Sequence, residues 1–331
     1  MSRAKVFVSW PDYSIDDPET GARLVKGGFE PVLWPRRGAR SEDELIGMLK
    51  GCIAAIASAD PFTDRVMQSN PQLRSISRVG VGVDSVDMEA ATRRDIAVSV
   101  TSGANAETVA DHTLGFILAL LRKLVPQHLC ASNGRWERVG PMTGSELPGK
   151  TVGLIGAGGI GKVVLRRLLG FDAKVIYFDR FVPLLNGATK VATLAELLER
   201  SDIVSIHMPL VPKTHHIVDA AGIARMKFGA LLINTSRGPL VDQAALFAAL
   251  REGRLGGAGL DVFDEEPPPA GTFDGVPNLL LSCHVAGVSH ESIRRMTVSA
   301  TSSALAMLAG ETPDTVLNPE VLRRKPIRLP A

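Results

Sequence analysis

The sequence is short of cysteine, of aromatic residues and of long apolar runs, and each shortage excludes a class of protein. Its three cysteines, Cys52, Cys130 and Cys283, are far apart in the 331 residues and form no C-x-x-C pair. Isolated cysteines in odd number indicate neither a disulfide framework nor a zinc knuckle, and no group of His, Cys and Asp has the spacing of metal ligands. We therefore expect a reduced, cytoplasmic protein without a metal site.

Nucleic acid and membranes are equally poor candidates as partners. Aromatic residues make up 5% of the chain and its formal net charge is +2, so base-stacking platforms and broad basic surfaces are both scarce. The longest clean apolar run, LGFILALL (114–121), is far shorter than the roughly 18 residues that a membrane-spanning helix needs. The N-terminal MSRAKVFVSW lacks the apolar core of a signal peptide.

What the sequence does contain is an alternation of short β-branched runs with helical patterns, over a length that suggests two domains. Strands are predicted at 5–10, 31–34, 52–58, 73–80 and 96–100, and again at 151–156, 174–179, 202–208, 230–236, 256–262 and 278–284. Ser41 and Glu44 form a capping box at the start of one helix. This alternation predicts an α/β protein with two parallel sheets covered on both faces.

Three segments do not fit a simple repeat of strand and helix. A long helix is predicted at 105–124, and another at about 290–309 follows after the second set of strands is complete. Between the first of these helices and residue 151 lies a segment rich in proline and glycine, 125–150. We interpret this segment as a connection and as a surface for a partner subunit.

A glycine-rich turn follows the strand TVGLI. The glycines of G-x-G-x-x-G, namely Gly156, Gly158 and Gly161, allow a tight turn, close approach of a pyrophosphate and close packing of helix on strand, respectively. The amides of Gly159 and Ile160, at the helix start, can meet an anion with the helix dipole behind them. The pattern predicts a dinucleotide site.

The next strand, KVIYFD, supports this prediction because it ends in an acidic residue. Asp179 lies 18 residues beyond Gly161 and can accept hydrogen bonds from the adenosine ribose hydroxyls, whereas it would repel a 2′-phosphate. NAD is therefore favoured over NADP, although the neighbouring Arg180 keeps NADP open.

Three later strands each carry a chemical group at the end where doubly wound sheets bind ligands. Arg237 follows one strand, Asp261 and Glu266 follow the next, and His284 ends the last. Each has a simpler interpretation when taken alone: a surface salt bridge, a solvated acidic loop, or a structural histidine beside Cys283. In combination they fit hydride transfer to a 2-oxo acid, since an arginine can anchor the substrate and a carboxylate can hold an imidazole that protonates its oxygen.

With these residues in place, the chain resembles the D-isomer-specific 2-hydroxyacid dehydrogenase family. The resemblance rests on SRVGVGVDSVD, NAETVADHTL, GLIGAGGIGK, HMPL, INTSRGPLVD, GGAGLDVFDEEP and HVAG. It implies two doubly wound parallel-sheet domains, with a Rossmann NAD-binding domain (101–289) inserted into a flavodoxin-like substrate-binding domain (1–100 and 290–331). It further implies a homodimer whose 125–150 segment embraces the partner, and an active site between the domains.

The resemblance also assigns roles to residues. It makes Arg237 the substrate-binding arginine, Glu266 the partner of the histidine and His284 the acid/base, and it gives backbone amides around Val81 and Gly82 to the substrate carboxylate. The cofactor contacts that it implies are Thr108 and Asp261 near the nicotinamide, Thr235, and His207 near the adenosine, where a packing role is equally open.

The expected activity is the NAD-dependent interconversion of a small 2-oxo acid and a D-2-hydroxy acid. Three alternatives stay open within this resemblance: a 3-phosphoglycerate dehydrogenase, a glyoxylate or hydroxypyruvate reductase, and an NAD(H)-sensing binding protein like the corepressors that share the fold. Arg36, Arg37, Arg74 and Arg78 are candidates for a phosphate or second carboxylate, with solvated surface as the other interpretation. The chain departs from the family at Cys283, where proline is usual, and at Asp111, where glutamate is usual.

Overall fold

The computed structural model describes residues 3–35, 40–324 and 327, so Arg36 and Arg37 lie outside the described residues. The chain divides into two compact units: residues 1–105 with 289–331 (unit 1), and residues 106–288 (unit 2). The strands are β1 (Ala4–Val8), β2 (Phe29–Leu33), β3 (Cys52–Ala57), β4 (Ser75–Arg78), β5 (Ala97–Ser99), β6 (Thr151–Ile155), β7 (Lys174–Phe178), β8 (Ala188–Lys190), β9 (Ile203–Ile206), β10 (Leu231–Asn234), β11 (Gly257–Leu260) and β12 (Leu279–Leu281). The helices are α1 (Gly21–Lys26), α2 (Glu42–Met48), α3 (Asp64–Ser69), α4 (Met88–Arg93), α5 (Ala106–Leu121), α6 (Leu124–Ser132), α7 (Gly159–Leu169), α8 (Leu194–Arg200), α9 (Ala220–Arg225), α10 (Gln243–Arg251), α11 (His290–Leu308) and α12 (Glu320–Arg324).

Unit 1 is a parallel five-stranded sheet in the order β2-β1-β3-β4-β5, which is the flavodoxin-like order. Its inner strands β1 and β3 are largely apolar and buried, as expected for a sheet covered on both faces. The long helix α11 belongs to this unit, and its Met296, Ala300 and Met307 are buried in one core with Val6 and Ile56. The predicted parallel α/β fold is therefore confirmed here.

Unit 2 is a parallel seven-stranded sheet in the order β12-β11-β10-β9-β6-β7-β8. Six of these strands reproduce the Rossmann order around β6, and β12 extends the sheet by one strand. Helix α5 packs into this unit, where Ala110, Leu114 and Ile117 share a core with Leu154. Because all neighbouring strands are parallel, the carboxyl ends of β9, β10, β11 and β12 lie side by side along one edge of the sheet.

The capping box at Ser41 and Glu44 is present, whereas four elements were not predicted from the sequence, namely α1, α6, β8 and α12. Helix α1 and strand β8 are short and carry few buried side chains, which leaves little apolar periodicity to detect. Helix α6 occupies part of the segment 125–150, which was interpreted as an irregular connection. The residue before this helix, Lys123, has a left-handed φ of 51°. Pro126 lies in the first turn of α6, where the missing N–H has no helical acceptor to lose.

Among the described residues, no single helix is both long and apolar enough to cross a membrane. Helices α5 and α6 meet the length and composition test only together, as a pair bent by 61°.

Candidate active site

In the glycine-rich turn after β6, packing requires glycine at two positions and leaves space for a Cβ at Gly158. Gly156 has a φ of 95°, and a Cβ there would lie 2.3 Å from the carbonyl oxygen of His207. A Cβ on Gly161 would lie 2.5 Å from the carbonyl oxygen of Gly156. A Cβ on Gly158 would meet no atom within 4 Å, and this residue caps α7 without any side-chain hydrogen bond. Open space over uncapped helix amides is what an approaching pyrophosphate needs, so the turn fits a dinucleotide.

Asp179 ties this turn to the loop that follows β7. One carboxylate oxygen accepts the amide hydrogen of Ala157 at 2.8 Å, and the other accepts those of Phe181 at 2.8 Å and Val182 at 2.9 Å. Burial raises the pKa of Asp179, but the three amides outweigh it and hold the pKa below its usual range. The side chain is therefore charged, and about one of its roughly four acceptor positions is left for a ribose hydroxyl.

His284 and Glu266 form a pair, although they are 18 residues apart in the sequence. His284 Nδ1 lies 2.6 Å from one Glu266 carboxylate oxygen, and the other accepts the Phe263 amide hydrogen at 3.0 Å. Burial raises the pKa of Glu266. The hydrogen bond to His284 and the charges of His284 and Arg237 lower it by more, so the net pKa lies below the usual range. Since a carboxylate only accepts, Nδ1 carries a hydrogen, and Nε2 is the nitrogen that can exchange a proton.

Arg237 is positioned by a residue that sequence reasoning missed. Asn234, buried at the end of β10, accepts the Ser236 amide hydrogen at 3.0 Å and donates its own amide hydrogen to the Arg237 carbonyl oxygen at 2.8 Å. A Cβ on Gly238 would lie 2.0 Å from the carbonyl of Phe263, so only glycine lets this backbone pack against the loop that carries Glu266. The available signal was the polar Asn within INTSRG, at the end of a buried strand.

Asp261 organises the loop that carries His284. Its buried carboxylate accepts hydrogen bonds from the Ser282 hydroxyl at 2.5 Å and from the amides of Val285 and Ala286 at 2.8 Å each. Its carbonyl oxygen accepts the His284 amide hydrogen, also at 2.8 Å, while His284 adopts a left-handed φ of 53°. His112 Nε2 lies 2.8 Å from the Ser282 hydroxyl, which extends the network to α5. Sequence reasoning did not single out Ser282.

The remaining expected cofactor residues lie on α5 and at the ends of β9 and β10. Thr108 is in the first turn of α5 and partly exposed. Thr235 is buried, and its hydroxyl lies 3.1 Å from that of Thr113. His207 is buried beside the glycine-rich turn, and burial lowers its pKa to about 4, so the ring is neutral near pH 7.

The expected substrate residues Val81 and Gly82 follow β4 of unit 1. Val81 is exposed, and the Gly82 carbonyl oxygen accepts a hydrogen bond from Arg78 Nε at 2.8 Å. Arg74 precedes β4, at the opposite edge of the sheet, and donates to the Pro71 carbonyl oxygen at 2.7 Å. Of these two arginines, only Arg78 lies at the edge where ligands bind.

The structure shows the environment of the two residues that depart from the expected motifs, Cys283 and Asp111. Cys283 is an exposed free thiol next to His284. Asp111 pairs with Arg167 at 2.8 Å, which ties α5 to α7. In the part of the chain that the structure describes, no group of three or more His, Cys, Asp or Glu could hold a metal ion.

Comparison with known proteins gives a consistent set of matches. The model of the D-isomer specific 2-hydroxyacid dehydrogenase NAD binding domain matches residues 114–286. The chain is 38% identical to the glyoxylate reductase of Thermofilum pendens, over 99% of this chain and 98% of that protein. It is 43% identical to the (S)-sulfolactate dehydrogenase of Chromohalobacter salexigens, over 69% of this chain and 75% of that protein. A crystal structure of a Thermus thermophilus protein, 36% identical, superposes with a TM-score of 0.86 and covers 95% of this chain and 99% of that one.

Proposed function

Because the chain belongs to the D-isomer-specific 2-hydroxyacid dehydrogenases, NAD-dependent oxidoreductases that interconvert 2-oxo and 2-hydroxy acids, we propose that it reduces glyoxylate with Arg237, Glu266 and His284 as catalytic residues. The observation that carries the proposal is the 2.6 Å contact between His284 Nδ1 and Glu266. The Thermofilum pendens glyoxylate reductase, which aligns along almost the whole of both chains, supports the choice of substrate.

His284 donates and accepts the proton in this reaction. NAD, when bound, supplies or accepts the hydride. His284 Nε2 gives a proton to the oxygen of the 2-oxo acid during reduction and takes it back from the hydroxyl during oxidation. Glu266 keeps the hydrogen on Nδ1 and balances the imidazolium charge, since its own low pKa keeps it ionised.

The substrate is anchored by cations and amides. The guanidinium of Arg237 binds the carboxylate and polarises the oxo group through its fork of donors. The amides of Val81 and Gly82 are the proposed substrate contacts of residues 1–100 and 290–331, which act as the substrate-binding domain. A glyoxylate molecule has no side chain, so no further contact is needed for recognition.

Residues 101–289 act as the dinucleotide-binding domain. The amides of Gly159 and Ile160 would hold the pyrophosphate, and Gly156 and Gly161 give the turn its shape. Asp179 accepts from the adenosine ribose and selects NAD against NADP. Thr108, Thr235 and Asp261 would hold the nicotinamide end, and His207 lies beside the glycine-rich turn.

Turnover with a panel of 2-oxo acids tests the proposal. We expect NADH oxidation with glyoxylate at a kcat/KM higher than with pyruvate, hydroxypyruvate or 3-phosphohydroxypyruvate, and lower rates with NADPH. His284→Ala should lower kcat by about 10²–10⁴-fold while NADH binding, followed by fluorescence, stays within about twofold. Turnover that survives in His284→Ala, or an absence of turnover with every acid of the panel, would contradict the assignment.

Two observations favour a second substrate class, a 2-oxo acid with a distal sulfonate. The (S)-sulfolactate dehydrogenase relative has the higher identity, and Arg78 lies at the carboxyl end of β4, beside Gly82. A 2-oxo acid with a distal sulfonate would find a cation there. If 3-sulfopyruvate exceeds glyoxylate in kcat/KM and Arg78→Gln removes that preference, this substrate replaces glyoxylate.

We further propose that the protein is a cytoplasmic homodimer. Helix α6 and the segment after it expose apolar side chains, including Leu124, Leu129, Trp136 (83% exposed) and Val139. Burial of such a surface by a second copy would stabilise a dimer. All three cysteines are free thiols, which supports a reducing compartment. Light scattering should give twice the 35.2 kDa chain mass, and Trp136→Asp combined with Leu129→Asp should halve it.

A further inference from the structure

One histidine of unit 2 has a ring nitrogen that no described residue satisfies. His207 lies just beyond β9 and is 8% exposed. Its Nε2 lies 2.9 Å from Oγ of Ser205, whereas its Nδ1 is buried and has no hydrogen-bond partner in the described part of the chain. A buried polar atom without a partner costs free energy, so its presence in a folded protein points to a partner bound from outside.

The hydroxyl of Ser205 decides which nitrogen of His207 carries the proton. Ser205 is fully buried, and among the described residues the only partner of its Oγ is His207 Nε2. If Nε2–H donated to Ser205, both the hydroxyl hydrogen and the Nδ1 lone pair would be buried without partners. If the hydroxyl donates to Nε2, the Nδ1–H alone is left over. The neutral ring holds one proton, so the Nδ1–H tautomer leaves fewer polar groups unpaired.

The backbone and the Cβ of His207 lie beside the glycine-rich turn. The carbonyl oxygen of His207 is what a Cβ on Gly156 would strike, and a Cβ on Gly161 would lie 3.9 Å from the Cβ of His207. The His207 amide donates to the Ile155 carbonyl oxygen at 2.7 Å, which fixes the residue to the strand that enters the turn. The ligand expected at this turn is a pyrophosphate, whose oxygens accept hydrogen bonds but do not donate them.

We propose that Ser205 and His207 form a donor relay for the dinucleotide, in which the Ser205 hydroxyl donates to His207 Nε2 and the Nδ1–H donates to an oxygen of the pyrophosphate. This inference rests on the binding of NAD by unit 2. The relay is neutral, so it strengthens binding through a directed hydrogen bond and not through added positive charge. The relay also gives a reason for the buried Ser205 hydroxyl in an otherwise apolar strand. Without this hydroxyl, nothing would keep the ring proton of His207 on Nδ1 instead of Nε2.

The tautomer can be measured on the wild-type protein without any substitution. Histidine labelled with ¹⁵N distinguishes a protonated from an unprotonated ring nitrogen by its shift, and His207→Asn identifies which of the seven histidine signals belongs to His207. We expect a Nδ1–H, Nε2-bare ring in the free protein, and a change of the Nδ1–H signal when NAD⁺ is added. A Nε2–H tautomer, or a Nδ1–H signal that NAD⁺ leaves unchanged, would overturn the proposal.

Binding measurements locate the acceptor on the dinucleotide. His207→Phe keeps a ring but removes the donor, and we expect it to weaken NAD⁺ and ADP-ribose by about 10- to 100-fold, the range for a hydrogen bond to a charged group. Adenosine, followed by chemical-shift titration, should bind within twofold of wild type. Ser205→Ala should weaken ADP-ribose by a smaller factor, because it frees the tautomer and keeps the ring.

A matched control removes a buried serine hydroxyl that is not part of the relay. Ser201 is fully buried in the same unit and donates to the Leu197 carbonyl oxygen at 2.6 Å. Ser201→Ala should leave ADP-ribose affinity and the His207 tautomer unchanged. ADP-ribose affinity that stays within twofold in His207→Phe, or an equal loss for adenosine, would refute the relay even if the wild-type enzyme binds NADH and reduces glyoxylate. If wild-type protein bound no NAD⁺, the proposed function itself would fail.

Discussion

Replacing Glu266 with glutamine should show how much of the activity depends on the charge of this side chain. Glutamine keeps an oxygen that can accept from His284 Nδ1 but removes the negative charge beside the imidazolium. The contact is short, 2.6 Å, yet the two side chains are 47% and 34% exposed, so solvent screens much of the bare Coulomb attraction. A charge-assisted hydrogen bond contributes about 1.5–3 kcal/mol, against about 0.5–1.5 kcal/mol for a neutral one.

The difference of about 1–2 kcal/mol corresponds to about a 5- to 30-fold loss in kcat/KM for glyoxylate reduction, at about 1.4 kcal/mol per tenfold. The assay is NADH oxidation across pH 4 to 9, with NADH binding as the control. Because the pKa of Glu266 is depressed, its negative charge is fully present above the usual glutamate range and is lost as pH falls through the folded-state pKa. The ratio of wild-type to mutant activity should therefore shrink as the pH falls through the pKa of Glu266. A loss below twofold, or one as large as that of His284→Ala, would refute this account of the pair.

Five further substitutions test the strand ends, the glycine-rich turn and the exposed thiol. Asn234→Asp removes the donor to the Arg237 carbonyl oxygen, so the KM for glyoxylate should rise by about tenfold with NADH affinity unchanged; an unchanged KM would mean that Asn234 does not position Arg237. Asp261→Asn replaces an acceptor of three hydrogen bonds by a group that cannot accept them all, so kcat should fall more than tenfold, and a change confined to NADH affinity would point to a cofactor contact instead. Gly158→Ala should weaken NADH binding with a melting temperature within a few degrees of wild type, whereas Gly161→Ala should lower the melting temperature because its Cβ would lie 2.5 Å from a carbonyl oxygen. Cys283→Ser should keep kcat within about threefold and abolish inactivation by iodoacetamide, and inactivation that persists would place the reactive thiol elsewhere.

The parts of the site that sequence reasoning could reach are those encoded by local patterns. Gly156, Gly158 and Gly161 stand in a fixed spacing directly after an apolar strand, so both the turn and its ligand follow from a few adjacent residues. Glu266 and His284 each follow a predicted parallel strand, and neighbouring strands bring their ends together.

The supporting contacts could not be predicted because they depend on register and rotamer. Asn234 and Leu260 are partners across β10 and β11, and this register fixes the position of the next residue, Asp261, along the sheet edge. Which donors that carboxylate meets depends on the left-handed turn at His284, which no apolar periodicity encodes. Helix α6 was missed for a similar reason, since its first residues follow a left-handed Lys123 and include Pro126, features that usually indicate a break.

The four adjacent strands β9 to β12 show one common arrangement that explains why buried polar residues occur in this sheet. Each strand is followed within three residues by a residue of the proposed site: His207, Arg237, Asp261 and His284. On three of these strands a buried or half-buried polar residue lies within three positions of the end and fixes the backbone or tautomer: Ser205, Asn234 and Ser282. Neighbouring parallel strands lie about 4.8 Å apart, so a displacement of one strand end also displaces the end of the adjacent strand. The polar residues therefore reduce the freedom of the whole edge, and substitutions there should change activity more than stability, unlike substitutions in the apolar core.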